Sequence, residues 1–420
     1  MDKFIIRGGN RLNGTVSISG AKNASLALMP AALLSGGVCR FENTPRLRDI
    51  STMSILLEQL GMTVRHPGTL LELDASNVTH FEAPYELVKK MRASFYVLGP
   101  LLGRFGYAKV SYPGGCAWGP RPVDLHIKAM QRLGAQIELE QGYVIARADR
   151  LTGASNSFDI SSVGATGNTL MAAVLAKGGT VISNAAVEPE ITQLAQFLVR
   201  MGARIDGIGT NHLEIEGVDE LHPADDRNIP DRIEAGTFLV AAAAAGGEVT
   251  LTNVDAAHLE AVTDKLREAG NTVDIARDRI TIRSDGAPKP INVSTAIYPG
   301  FPTDMQAQWL TLMTIASGSS MVTDTIYHDR FSHVAELQRL GASIDVSGNA
   351  CHVHGAAHLT GAKVMSTDLR ASASLIIAGL VARGQTEVLR VYHIDRGYES
   401  IELKLRDIGA DIQRIDSEEY

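Results

Sequence analysis

Four short segments of this chain carry side chains that could do chemistry. Cys116 lies in YPGGCAWGPRPVDLH (residues 112–126), whose first ten residues include two prolines and three glycines. That composition excludes a regular helix or strand and puts the thiol on a loop. Arg121 stands nearby, and a neighbouring cation favours the thiolate, the nucleophilic and proton-exchanging form. Lys22 and Asn23 open SGAKNASLAL, ahead of an amphipathic run (Leu26, Leu28, Met29, Ala32, Leu33). A lysine there suits a phosphate oxygen, although the chain has no G-x-x-x-x-G-K-[ST] loop. In YPGFPTDMQAQ (298–308), Pro299 and Pro302 shape a turn that delivers Asp304 to a helix start, where the helix dipole favours a carboxylate. In HIDRGYE (393–399), Arg396 precedes Gly397 just before the last helix, suiting a forked grip on a carboxylate or phosphate.

A fifth segment looks metal-binding only at first sight. CHVHGAAH gathers Cys351, His352, His354 and His358, but a strand there turns Cys351 and Val353 one way and His352 and His354 the other. Metal spacing is absent, and no metal or cofactor is expected. Cys39, in GGVCRFEN, reads as a buried structural thiol.

The elements that position these residues repeat. A helix-like segment running into a glycine and then into alternating apolar residues occurs six times, as in LLEQLGMTV, KAMQRLGAQI and ELQRLGASI. The marking glycines are Gly61, Gly134, Gly202, Gly270, Gly341 and Gly409, at intervals of 68 to 73 residues. Glycine there predicts a left-handed helix cap. Two short strands follow, for example Gln136 to Leu139 and Tyr143 to Ala146. An earlier Ala/Leu-rich helix also ends on glycine, as in Ala24 to Ser35, Thr169 to Lys177 and Thr237 to Ala245. With one more strand expected ahead of that helix, the fold class is α/β, built from six copies. Counting back 37 to 42 residues from each marking glycine reaches Lys22, Arg92, Gly164 (in SVGAT), Arg232, Asp304 and Arg370. These are entries to the Ala-rich helices, and helix N-termini aimed at one place make an anion site.

Composition narrows the classes further. The 420 residues are 45% hydrophobic and 20% charged, which is ordinary for a globular protein and suggests two or three domains. No apolar stretch approaches a membrane span and no secretory leader is evident, so a cytoplasmic protein is expected, in keeping with three cysteines that cannot all pair. A net charge of -8 argues against a broad nucleic-acid surface. A six-unit ring scaffold such as a DNA sliding clamp needs basic residues along its inner helices, whereas here they are Ala/Leu-rich and charged at their tips.

In chain order, GAKNA (20–24), MRAS (91–94), PGGC with RPVDLH (113–126), SVGAT (162–166), PDRIEAGT (230–237), YPGFPTDMQAQ, TDLRA (367–371) and DRGYE (395–399) resemble the enolpyruvyl transferases that act on UDP-N-acetylglucosamine. The resemblance runs from residue 1 to about 412, and the cysteine loop is specific to that branch; the shikimate-pathway enolpyruvyl transferases share the architecture but lack the loop. It implies a two-domain inside-out α/β barrel of six βαβαββ repeats, three per domain. Residues 21–229 would form one domain and 1–20 with 230–420 the other, with substrates in the cleft between them. It implies transfer of the enolpyruvyl group of phosphoenolpyruvate to the 3-hydroxyl of UDP-N-acetylglucosamine, the committed step toward peptidoglycan. By the same resemblance Lys22, Arg121 and Arg396 hold phosphoenolpyruvate, Cys116 is the proton donor and the target of fosfomycin-type inhibitors, and Asp304 is the base at the sugar hydroxyl. Asn23, Arg92, Arg121, Pro122, Val123, Asp124, Leu125, Ser162, Val163, Gly164, Ile326, Arg330 and Arg370 are implied to line the substrate site. Trp118 departs from an aliphatic residue common in relatives, and Ile160 and Ser161 stand where relatives often carry lysine or proline.

Overall fold

Six four-stranded sheets, each built the same way, account for the strands of residues 2–113 and 123–416, which the computed structural model describes. In every sheet one edge strand runs parallel to its neighbour and the remaining two pairings are antiparallel. A parallel pair needs a crossover, and in four of the six sheets the inner helix of one copy supplies it. The expected extra strand ahead of that helix is present. The closing hairpins fall where alternation placed them, for example Gln136–Glu140 with Tyr143–Arg147.

All six marking glycines adopt φ between 90° and 109°, the left-handed conformation anticipated for them. The residue types around them explain the caps: each outer helix is amphipathic and stops where glycine lets the chain turn back into a strand. Arg48–Gln59, for instance, buries Ile50, Met53, Leu56 and Leu57 and exposes the opposite face.

The inner helices are a different kind. In Arg232–Ala245 every residue from Ile233 to Ala244 is buried, and in Leu369–Val381 every residue from Leu369 to Leu380. A helix apolar all round must be covered on all sides, so these helices lie inside and the sheets outside. Their starts differ from the Ala-rich runs in the sequence. The helix read from Thr169 begins at Val163, and the one read from Thr237 begins at Arg232. Side-chain caps set those starts, since Ser162 accepts from the Ala165 amide and Asp231 from the Ile233 and Glu234 amides.

Contacts divide the chain into two units, Gly20–Ile229 and the residues up to Ser19 together with those from Pro230. Each holds three of the six sheets. In each, a strand remote in sequence completes a sheet. Asp226–Arg227 pairs with Val38–Glu42 in the first unit. In the second, Leu12–Ser17 pairs with Gly247–Thr252, while Asp2–Arg7 lies between Gln385–Leu389 and Asp411–Asp416.

Candidate active site

The positions that recur in register do stand at the inner-helix entries. Lys22 is the first residue of Lys22–Ala31, Arg92 opens the short 3-10 turn Arg92–Val97 that leads into Leu98–Phe105, and Gly164 is the second residue of Val163–Ala173. Arg232 opens its helix, Asp304 lies in the turn Thr303–Met305 ahead of Gln306–Met313, and Arg370 is second in Leu369–Val381.

Within the unit 20–229, the GAKNA turn is pinned from below. Asn228 donates from Nδ2 to the Ala21 carbonyl (3.0 Å) and to Ser25 Oγ (2.6 Å), and Asn43 donates to the Asn228 carbonyl (2.9 Å). A side chain at Gly20 would meet the Asn43 carbonyl oxygen at 1.6 Å, so only glycine fits that close approach. Lys22 Nζ reaches Asp49 Oδ2 at 3.2 Å, a partner that spacing in the sequence gave no reason to choose. Asn23 is half-buried beside it, and Ser162, Val163 and Gly164 are half-buried at the next helix entry.

His126, the last residue of RPVDLH, holds three of these segments together. Asn168 is fully buried; its Oδ1 accepts from the Gly99 amide (2.8 Å) and its Nδ2 donates to the Phe95 carbonyl (2.9 Å) and to His126 Nδ1 (2.8 Å). His126 Nδ1 is therefore an acceptor, and the ring's proton sits on Nε2, which faces Gly164. One buried imidazole thus joins the Arg92 turn, the helix Asp124–Arg132 and the SVGAT entry. Val123 is buried just ahead of that helix, Leu125 is half-buried, and Asp124 is exposed in its first turn, paired with Lys128 at 3.4 Å. Ile160 is exposed close by in sequence.

Burial, reinforced by the charge of Arg92, lowers the His126 pKa to about 3 from its ordinary 6.5. An unfolded chain takes up this proton near pH 6.5 and the native one does not, so stability is unaffected above pH 6.5 and falls below it by about 1.4 kcal/mol per pH unit. Calorimetry should therefore show Tm dropping as pH goes from 6.5 to 4, with a shallower drop in His126→Gln; equal slopes in both proteins would refute this.

In the other unit, three residues from separate segments meet directly. Arg370 Nη2 lies 2.6 Å from Asp304 Oδ2, and Arg330 Nη2 lies 2.8 Å from Asp304 Oδ1. Burial pushes the Asp304 carboxyl up, but the two guanidinium charges and their hydrogen bonds outweigh it and hold the group well below the usual carboxylate range. Arg370 is correspondingly raised against the opposing effect of burial. Arg330 Nη1 also donates to Thr303 Oγ1 (3.0 Å), which donates to the buried Asp324 Oδ2 (2.7 Å). Asp324 Oδ1 in turn accepts from the Ile326 and Tyr327 amides, both at 2.9 Å, fixing the segment that presents exposed Ile326. Arg396 ends the 3-10 turn Val391–Arg396, half-buried, two residues before the fully buried Tyr398. Asp49, His126, Asn168, Asp324 and Tyr398 were not singled out by sequence reasoning, although His126 and Tyr398 lie inside segments that were.

Cys116, Arg121, Pro122 and Trp118 lie outside the described residues. The other two thiols are fully buried: Cys39 in the strand Val38–Glu42 and Cys351 in Ala350–His354. In the latter, Cys351 and Val353 face inward while His352 and His354 are exposed, and among the described residues no cluster of His, Cys, Asp or Glu is arranged to hold a metal.

Three-sheet α/β units enclosing polar-tipped apolar helices are the architecture of solved enolpyruvyl transferases. The enolpyruvyl transferase NikO from Streptomyces tendae superposes with a TM-score of 0.89 over 98% of both chains at 28% identity. An EPSP synthase from Acinetobacter baumannii shares the fold, with a TM-score of 0.76 over 99% of this chain and 100% of that one at 18% identity. The chain belongs to the EPSP synthase (3-phosphoshikimate 1-carboxyvinyltransferase) family, which it matches over residues 6–405. Among curated relatives, the UDP-N-acetylglucosamine 1-carboxyvinyltransferase of Chloroherpeton thalassium is 59% identical over 100% of this chain and 99% of its own length. The protein of the same name from Prosthecochloris aestuarii is 55% identical over the full length of both.

Proposed function

We propose that this chain transfers the enolpyruvyl group of phosphoenolpyruvate to the 3-hydroxyl of UDP-N-acetylglucosamine, releasing inorganic phosphate. The observation that carries it is 59% identity, end to end, with a relative of that name. The PGGC segment at 113–116 agrees with it. So does the geometry, since a carboxylate beside two cations suits proton removal from a hydroxyl next to an anionic substrate.

The resemblance assigns the side chains, and the chemistry of each suits its role. In the addition, the sugar oxygen bonds to C2 of phosphoenolpyruvate while C3 gains a proton; in the elimination, C3 loses a proton and phosphate leaves. Cys116 donates the proton to C3, and Asp304 takes the proton of the sugar hydroxyl. Lys22, Arg121 and Arg396 hold phosphate and carboxylate, with Arg330 and Arg370 completing the cationic set. Asn23, Arg92, Arg121 to Leu125, Ser162 to Gly164 and Ile326 bind the nucleotide sugar. Held by two arginines, Asp304 is a weak base, and a substrate anion that shares those guanidinium groups loosens their hold and strengthens it.

The activity belongs in the cytoplasm, where both substrates are made, and it feeds peptidoglycan synthesis and hence cell shape and division. No helix among the described residues is long and apolar enough to cross a membrane. The family also contains the shikimate-pathway reaction, so the test has two arms. Phosphate release is measured with phosphoenolpyruvate plus either UDP-N-acetylglucosamine or shikimate 3-phosphate. Release with the first is expected, and release only with the second, or with neither, sinks the proposal.

A further inference from the structure

Side chains from three inner-helix regions converge on one buried oxygen, the hydroxyl of Tyr398. It lies 3.1 Å from Arg370 Nη1, 3.2 Å from Gln308 Nε2 and 2.8 Å from Thr237 Oγ1. Gln308 Nε2 also lies 3.1 Å from Thr237 Oγ1, so one of its two protons is shared between that oxygen and the phenol. A guanidinium only donates, and Gln308 Nε2 is a donor because it also bonds the Asp304 carbonyl at 3.0 Å. Tyr398 therefore accepts from Arg370 and shares a Gln308 proton, which leaves its own proton for Thr237 Oγ1. Thr237 passes its own proton to the Ile233 carbonyl at 2.8 Å, completing a one-way chain. Gln308 Oε1 is buried with no hydrogen-bond partner, so the amide is oriented for its N–H groups at the expense of its carbonyl.

Two arginines of the site are tied to this point. Arg370 reaches Tyr398 with Nη1 and Asp304 with Nη2, so the phenol sets how the planar guanidinium meets the carboxylate. Arg396 precedes Tyr398 by two residues, and the buried ring anchors the turn that carries it.

We propose that Tyr398 is a positioning residue for enolpyruvyl transfer, its hydroxyl fixing Arg370 against Asp304 and its ring fixing the segment that bears Arg396. This rests on the proposed function. Because Arg370 and Arg396 belong to the cationic set assigned to phosphoenolpyruvate and Asp304 is the assigned base, removing the hydroxyl should lower kcat and weaken phosphoenolpyruvate binding while leaving the KM for the nucleotide sugar unchanged.

The test is steady-state kinetics of Tyr398→Phe, which keeps the ring and its packing. The kcat/KM for phosphoenolpyruvate should fall by about ten-fold or more while the KM for UDP-N-acetylglucosamine stays within about two-fold. Gln308→Met, which removes the second donor to the hub, should show the same selectivity at smaller size and decides the matter alone if Tyr398→Phe does not fold. Unchanged kinetics in a folded variant overturns the proposal. So does an equal rise in KM for both substrates alongside a lowered Tm, which marks a purely structural role. A wild-type protein inactive on both substrates removes the proposed function itself, an outcome distinct from an active wild type with an indifferent Tyr398.

Discussion

Asp304→Asn is expected to lower kcat by about 10³-fold, the usual size of a lost general base. The amide is isosteric, so the substitution removes proton-accepting power and negative charge with little change of shape. Its second effect follows from what surrounds it. Arg330 and Arg370, with side chains 14% and 7% exposed, would face each other across a neutral group. Leaving a fully buried charge without its partner costs about 3–5 kcal/mol, and the partial exposure here reduces that figure. Tm should fall, and phosphoenolpyruvate or inorganic phosphate should restore more of it in the variant than it adds to the wild type. The pH profile follows from the same contacts. Because Asp304 is held below its ordinary 3.8, its ion pairs contribute stability that is fully present above pH 3.8 and lost only below it. The kcat/KM of the wild type should then show no acid limb from this group between pH 5 and 8. Stopped-time phosphate assays across that range decide the point; a variant retaining more than about a tenth of wild-type kcat would exclude Asp304 as the base.

Covalent chemistry at a thiol should be wholly lost in Cys116→Ser. The chain has three cysteines, and two of them are unsuited to reaction. Cys39 and Cys351 are fully buried, and burial raises both thiols, Cys351 to about 12, so neither supplies thiolate at neutral pH. An epoxide of the fosfomycin type, or any thiol alkylator, should label the native chain once and the denatured chain three times. Peptide mapping of the native adduct should find it at Cys116, and the Cys116→Ser protein should take up none while folded. Labelling of that variant at Cys39 or Cys351 under native conditions would refute the assignment.

How far these sites were legible in the sequence depended on whether a feature repeats. The marking glycines, the hairpins after them and the charged residues at helix entries recur at nearly constant spacing, and six copies turn a weak local signal into a strong one. The helices begin at Val163 and Arg232, ahead of their Ala-rich runs, because a cap is set by one side chain such as Ser162 or Asp231; the register of Gly164 and Arg232 marks those entries where the Ala-rich run does not. The interior partners were hidden for another reason. Asp49 beside Lys22, Asn168 beside His126, and Tyr398 beside Arg370 are partners chosen by the fold. They are joined by contacts spanning 27, 42 and 28 residues, and nothing in the local pattern of charge or hydropathy announces them.

The strand Asp2–Arg7 has its neighbours 384 residues further along at one edge, where Lys3 meets Glu387, and further still at the other, where Asp2 faces Asp416. On a ribosome making about 5–20 residues per second, that strand has nothing to pair with for roughly 20 to 80 s. The unit Gly20–Ile229, by contrast, has all its strands once Asp226–Arg227 emerges. Synthesis therefore imposes an order of assembly: the half bearing Lys22 and the nucleotide-sugar residues can close first, and the half bearing Asp304 and Arg396 is completed only by the last strand to be made. Until then an apolar edge of strand, with Phe4 and Ile6 bare, is the part of the newborn chain most in need of a chaperone.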